Sequence, residues 1–316
     1  MSDIRTALVE TFGEPPRVRT IPAPLPEPGR EVVDVLAVGV HHVTRSITAG
    51  SHYASRDRLP LIPGVDAVVR RSDGSLGLVI APGTGTMSQR LAVDPATLIP
   101  LPDGDPAVFA ATLNPLISSW MVLTQRVPLV PGASVLVLGA TGTSGFLAVQ
   151  AARHLGAGRI IAAGRDPERR QALSAAGADA VVALDREDAA GMLAASAADV
   201  DVVLDYLWGP VTRMSLEAVL RARADETRLL DWVQIGSVAG SEIALPAAAL
   251  RSNALRLSGS GFGSVPFSAY GREVPRAAAA VASGEMVVEP RRAPLAEVEA
   301  AWSHRDAPGE RTVIIL

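Results

Sequence analysis

Gly139, Gly142 and Gly145 recur at intervals of three, and what they precede makes the spacing chemical. Ser134–Leu138 is an apolar run of strand length. From Gly145 the apolar period turns helical: Leu147, Ala151 and Leu155 share a face, with Ala148 and Ala152 beside them. Gly156 and Gly158 close that helix, and Arg159–Ala163 reads as a second strand. The first turn of a helix carries unpaired N–H groups and the positive end of the helix dipole, so it attracts phosphate wherever no side chain stands in front of it. Gly142 permits that approach and Gly145 lets the helix pack close to the strand. The unit is a βαβ with a glycine-rich first turn, the form that binds a dinucleotide pyrophosphate. Ala140 replaces the usual first glycine, so the turn reads AxGxxG after Gly139. Thr141, Thr143 and Ser144 complete the candidate cradle.

The end of the second strand chooses the cofactor. A site for NAD usually places Asp or Glu there, about 20 residues after the glycines, to hold the ribose 2′-hydroxyl. Here the strand ends Ala163-Gly164-Arg165-Asp166. Gly164 leaves room and Arg165 supplies a cation, with Arg169 and Arg170 in reach to help, which favours NADPH over NADH. Asp166 is either the ribose acid displaced by two positions or, with Pro167 and Glu168, the cap of a helix start; both roles can coexist.

The elements that must position this turn alternate regularly. After the βαβ unit, helix Pro167–Ala176, strand Ala180–Leu184, helix Arg186–Ala197, strand Asp201–Tyr206, helix Pro210–Arg223 and strands Arg228–Ile235 and Ala254–Ser258 follow. That order implies an α/β doubly wound parallel sheet. Upstream, residues 1–125 read as short strands and loops, with strand candidates at Arg30–Val40, Leu61–Val69 and Gly77–Ile80 and a helix at Phe109–Val127. The tail offers helices at Arg272–Ala282 and Pro294–His304 and a last strand, Arg311–Leu316. A chain of 316 residues, 48% apolar and 20% charged, suits about two globular domains. Its net charge of −4 argues against general nucleic-acid affinity. No cysteine is present, which removes disulfides, thiolate metal sites and thiol nucleophiles. MSDIRTALVE has no signal core, and no stretch reads as long and apolar enough to cross a bilayer, so a cytoplasmic protein without membrane partners is expected. Trp208, Trp232 and Trp302 are expected in the core or at an interface rather than as stacking platforms.

Along its whole length the chain resembles the medium-chain dehydrogenase/reductase superfamily, in particular its zinc-free quinone oxidoreductase-like branch. The resemblance is carried by Ala7-Leu8-Val9, Phe12-Gly13 and Pro28-Gly29; by Thr48-Ala49-Gly50-Ser51-His52-Tyr53 and Leu59-Pro60-Leu61-Ile62-Pro63-Gly64-Val65-Asp66; and by Val130-Pro131-Gly132 and Gln234-Ile235-Gly236. It implies a GroES-like, mainly β catalytic domain from residues 1–125 plus 260–316, with a Rossmann domain, 126–259, inserted, and a cleft between them. Two departures stand out. The zinc ligand positions of the alcohol dehydrogenase branch fall on His41, Val65 and a residue near Asn114, so the resemblance implies no zinc. The segment Val69–Ala92 is short and lacks the usual Gly-Asp-Arg-Val turn.

The chemistry so implied is zinc-independent hydride transfer from NADPH to a quinone or an α,β-unsaturated carbonyl. A hydrogen-bond donor would stabilise the charge that builds on the acceptor oxygen. Tyr53 holds the family's SG-x-Y position and is the leading donor; it could also be a cleft wall. His41 and His42 follow a strand end that should face the cleft, and either could donate or relay a proton or be structural. Thr44 could touch ribose or substrate, Asp66 could be structural or a base, and Asn114 could bind substrate or start a helix. Gly236 and Ser237 follow the fifth Rossmann strand, where relatives contact the nicotinamide half. Gly261 and Phe262 sit in a glycine-serine loop after the sixth, either closing over nicotinamide or serving as a hinge. The resemblance also implies a homodimer, paired as in relatives through the sixth-strand edge, here Ala254–Ser258. Two alternatives are a pathway-specific ketone, imine or enoyl reductase and a non-catalytic NADPH-binding sensor or scaffold.

Overall fold

The computed structural model describes residues 3–52, 55, 58–81, 84–307 and 309–316. The chain divides into two compact units, Met1–Asn114 with Val274–Leu316, and Pro115–Glu273.

In the first unit β1 (Asp3–Leu8) and β2 (Arg17–Pro22) form an antiparallel hairpin. β3 (Glu31–Gly39), α1 (His42–Thr48), β4 (Asp66–Arg70), β5 (Leu76–Ile80), β6 (Arg90–Val93) and β7 (Ile99–Pro100) follow. The run Leu61–Val69 becomes a strand only from Asp66, because Pro60, Pro63 and Gly64 precede it. Gly64 has φ 103°, and a Cβ there would stand 2.2 Å from Thr86 Oγ1. The short Val69–Ala92 segment holds a tight hairpin, with Gly74 at φ 86° in its turn.

α2 (Pro106–Met121) runs on through a π-helical turn, Val122–Arg126. These 21 residues, Pro106–Arg126, are together long and apolar enough to cross a membrane, which corrects the expectation that no stretch is. Of its most apolar window 72% is buried within the protein, with Phe109, Leu113, Leu116 and Trp120 each nearly inaccessible. Core packing accounts for its composition.

The second unit alternates β8 (Ser134–Leu138), α3 (Thr143–His154), β9 (Arg159–Gly164), α4 (Pro167–Leu173), β10 (Ala180–Ala183), α5 (Ala189–Ala197), β11 (Val202–Asp205), α6 (Gly209–Ala222), β12 (Leu230–Gln234), α7 (Ala247–Arg251) and β13 (Leu255–Gly259). All six strands are parallel, in the order β10-β9-β8-β11-β12-β13. Alternate residues face opposite layers: Val135, Val137, Ile160 and Ala162 pack on one side, Leu136, Leu138, Ile161 and Ala163 on the other. Burial on both faces is why these strands read as unbroken apolar runs. The order reverses between β8 and β11, and ligands of such sheets bind at the carboxyl ends of the strands beside that reversal.

α8 (Phe267–Ala282) leads back to the first unit, where β14 (Glu289–Pro294), α9 (Val298–Ser303) and β15 (Glu310–Ile315) close it. Its main sheet runs β14-β15-β3-β4-β5-β7 with β6 also on β3, antiparallel except for β14 and β15. Val33, Val35, Val69, Trp302 and Ile314 lie in its core.

Candidate functional site

The glycine turn leaves β8 at the reversal point. Gly139 takes φ 89°, and its N–H and that of Ala140 both donate to Ala163 O at 2.9 Å. Ala140 replaces a glycine because its methyl group is buried in the core. Gly142 caps α3 through its backbone, accepting from Phe146 N at 2.8 Å, and no side chain caps the helix. The Thr143, Ser144 and Gly145 N–H groups therefore have no acceptor within the helix. The two later glycines are required for different reasons. A Cβ at Gly145 would lie 2.2 Å from Gly139 O, inside the protein, whereas one at Gly142 would meet only Gly139 O at 3.3 Å and otherwise project into the open mouth of the turn.

At the end of β9, a Cβ at Gly164 would stand 2.5 Å from Thr141 Cγ2, so the Thr141 side chain fills the room that Gly164 leaves. Arg169 donates to Thr141 O and lays its guanidinium 5.9 Å from the Phe146 ring centre, bracing the turn. Arg170 is engaged by the Gly164 and Arg165 carbonyls and by Asp185. Asp166 Oδ1 accepts from Glu168 N and Arg169 N, each at 3.1 Å, as a helix cap. Arg165 is different: its side chain is exposed and has no hydrogen-bond or ion-pair partner among the described residues.

Farther along the same strand ends, Asp205 is a hub. Its carboxylate accepts from Leu207 N (2.8 Å), Trp208 N (3.1 Å), Thr212 Oγ1 (2.7 Å) and Trp232 Nε1 (3.0 Å). Trp232 and Trp302 are buried in the core; Trp208, expected in the core or at an interface, is outside the core. It is half-buried, adopts φ 56° and ψ −167°, and lines a cavity of about 390 Å³ with Gln234, Ser237, Leu257, Ser258 and Gly259. No local sequence signal marks this conformation; the Asp205 carboxylate imposes it by holding the Leu207 and Trp208 N–H groups. Gly236 lies against the Tyr206 backbone, 2.8 Å from where a Cβ would be, and Ser237 is exposed beside it. Tyr206 pairs its hydroxyl with Ser118 Oγ at 3.0 Å, and burial pushes its phenol up to about 12. Gly261 and Phe262 lie in the loop after β13, where Gly261 N donates to Ser264 Oγ at 2.9 Å.

Within the first unit, three candidates meet. His41, just after β3, lies 3.6 Å from Asp66 at the start of β4, and Asn114 Nδ2 of α2 donates to Asp66 Oδ1 at 3.4 Å. The His41 and Asp66 side chains are each 4% exposed. Burial pushes the Asp66 carboxyl up to about 7, against the Asn114 hydrogen bond. Burial and then the Arg311 charge hold His41 well below the usual histidine value, so the ring is neutral and the two do not form an ion pair. Neither ring nitrogen of His41 makes a well-formed hydrogen bond, and neither does Thr44 Oγ1, which is fully buried in α1. His42 is exposed at the start of α1. Tyr53 lies outside the described residues. The positions matching zinc ligands thus hold His41, the apolar Val65 and, near the third, Asn114, of which only His41 is a usual zinc ligand. Among the described residues, the one His/Asp/Glu group close enough to share an ion is His304, Asp306 and Glu310, and its carboxylates already bind Thr312, Arg311 and the Ala307 N–H.

Over 99% of its length, and all of the relative's, this chain is 31% identical to a probable NADPH-dependent quinone reductase of Emericella nidulans. It belongs to the medium-chain dehydrogenase/reductase superfamily, in the quinone oxidoreductase-like group, and is an oxidoreductase. The quinone oxidoreductase of Thermus thermophilus, solved also with NADPH, superposes with a TM-score of 0.79 at 26% identity, covering 99% of this chain and 100% of that one. An alcohol dehydrogenase superfamily protein from Novosphingobium aromaticivorans shares the fold, with a TM-score of 0.83 at 24% identity over 99% of both chains. The family described as zinc-binding dehydrogenase matches residues 145–281. That span contains none of the positions aligned with zinc ligands, so for this member of the superfamily the match concerns the dinucleotide fold.

Proposed function

We propose that this protein reduces a quinone or an activated alkene with NADPH, without zinc. The observation that carries the reading is Arg165, a guanidinium with no partner among the described residues, at the end of β9 beside a helix N-terminus whose first N–H groups are open. The relatives named for NADPH and quinone support it. The chain's own residues fit the cofactor. Thr143, Ser144 and Gly145 N–H groups would hold the pyrophosphate and Arg165 the 2′-phosphate. Gly236, Ser237, Gly261 and Phe262 would flank the nicotinamide half. When bound, NADPH supplies the hydride.

Without a Lewis acid, the charge on the acceptor oxygen needs a hydrogen-bond donor, and Tyr53 is the residue proposed for it. Asn114 holds Asp66 in a buried cluster beside His41. The absence of cysteine and the His41–Asp66 pair support zinc independence. The unit Met1–Asn114 with Val274–Leu316 is proposed as the catalytic domain and Pro115–Glu273 as the cofactor domain. The open edge of β13 supports pairing into a homodimer. A cytoplasmic location is in keeping with a cysteine-free chain.

Anaerobic consumption of NADPH against a panel of quinones, enones and ketones, with NADH in parallel, tests this reading. Saturable turnover of quinones or enones with a preference for NADPH is expected. Turnover of ketones alone moves the protein to the carbonyl reductases, and tight NADPH binding with no turnover overturns the reductase reading.

A further inference from the structure

We propose that Arg126 is a positioning residue that clasps the loop after β13 and so sets the protein's grip on the nicotinamide half of its cofactor. The inference rests on the NADPH reading above. It starts from the π-helical turn at the end of α2, where Val127 N donates to Val122 O at 2.8 Å, one residue beyond the α-helical register. Such a turn re-aims every side chain after it, and π turns are frequent at functional sites. Here Arg126 Nη1 donates to Ser264 O at 3.2 Å and Nη2 to Gly259 O at 3.0 Å. One planar guanidinium thus ties both ends of the loop.

The loop needs a tie. Gly259, Gly261 and Gly263 lie within five residues, and each lowers the cost of leaving any single shape. Inside the loop, Ser264 Oγ accepts from Gly261 N and Ser264 N donates to Gly261 O, but these bonds close only its tip. At its start, Ser260 N donates to Gln234 O at 2.8 Å. Ser260 and Ser264 also meet through their hydroxyls, at a long 3.5 Å; Arg126 adds a charge-assisted tie from each of the two carbonyls to one group outside the loop. The arginine is itself held on a fixed mount: the buried Glu273 carboxylate accepts from Trp120 Nε1 at 3.1 Å and from Gln125 Nε2 at 3.0 Å. Arg126 is exposed, so losing it orphans no buried group and leaves the fold intact.

The test compares two ligands in R126Q and R126K. NADPH spans both halves of the site, whereas 2′,5′-ADP reaches only the glycine turn and Arg165. In R126Q the affinity for NADPH should fall about tenfold, the loss expected for charge-assisted bonds at an exposed site. Affinity for 2′,5′-ADP and the melting temperature should not change, and amide exchange over residues 259–264 should speed up. R126K should fall between, because an ammonium reaches one carbonyl at a time. Unchanged NADPH affinity in R126Q, or equal loss of both ligands, overturns the clasp. A wild-type protein that binds neither ligand overturns the proposed function instead, and the clasp with it.

Discussion

At the end of β9 the guanidinium groups divide their labour: Arg169 and Arg170 brace backbone carbonyls, and Arg165 is left with no partner among the described residues. Reversing its charge tests the 2′-phosphate role directly. R165E should weaken NADPH at least about tenfold more than NADH, since only one of them carries that phosphate. Equal losses would remove Arg165 from cofactor choice. Tyr53→Phe keeps the ring and deletes the proton. Turnover should fall about a hundredfold with NADPH affinity unchanged, as for loss of a donor to a developing oxyanion. Unaltered turnover would exclude Tyr53 from the chemistry. Arg165 was legible in the sequence because strand, turn and cofactor corner are close along the chain. The grouping of His41, Asp66 and Asn114 was not, since residues from β3, β4 and α2 meet only once the first unit has folded; motif resemblance alone suggested each of them.

The βαβ element separates two kinds of glycine that look alike in sequence. Gly142 has φ −77° and an open side, so Ala is conformationally acceptable there. G142A should leave stability within about 1 kcal/mol while its methyl group obstructs the phosphate and NADPH affinity drops. G145A instead drives a methyl group into Gly139 O and should cost about 3 kcal/mol or more, read as a lower denaturation midpoint. If both variants lose stability alike, the turn has no open side. Strands of the second unit were readable nearly to the residue because each is a short, doubly buried apolar run. In the first unit β2, β6, β7 and β14 are not among the strands read from the sequence: β6 and β7 have only four and two residues, β2 ends on Pro22, and β14 carries Pro290 and Pro294. Prolines interrupt the alternation by which a strand is read, even where its partner is near in sequence, as β1 is for β2 and β15 for β14. Helix α1 has seven residues, too few to show a period.

For the molecule as a whole, the buried His41–Asp66 pair shapes stability against pH. Asp66 keeps its proton up to about 7 when folded but releases it near 3.8 when unfolded, so it makes stability fall as pH rises through that window. His41 stays neutral when folded but takes a proton below 6.5 when unfolded, so it makes stability rise with pH up to that value. The slopes oppose each other, so the pair's own contribution to the wild-type profile should be nearly level between the two unfolded values. Asp66→Asn removes one of them. The unfolding free energy of D66N, from urea titrations, should climb from about pH 4 to about pH 6.5, by up to ~3 kcal/mol relative to wild type. Parallel profiles for the two proteins would show that the pair is charged in the folded state.

Trp208 gives the protein a use its architecture did not require. Of the four tryptophans, Trp120, Trp232 and Trp302 are buried, and each should emit as an indole shielded from water. Trp208, held at φ 56° on the cavity wall, is the one half-open to water. The red edge of the intrinsic fluorescence therefore belongs to a single indole, and a Trp208→Phe difference spectrum isolates it. The chain carries a built-in optical gauge at the mouth of β12 and β13, readable without a dye or a label.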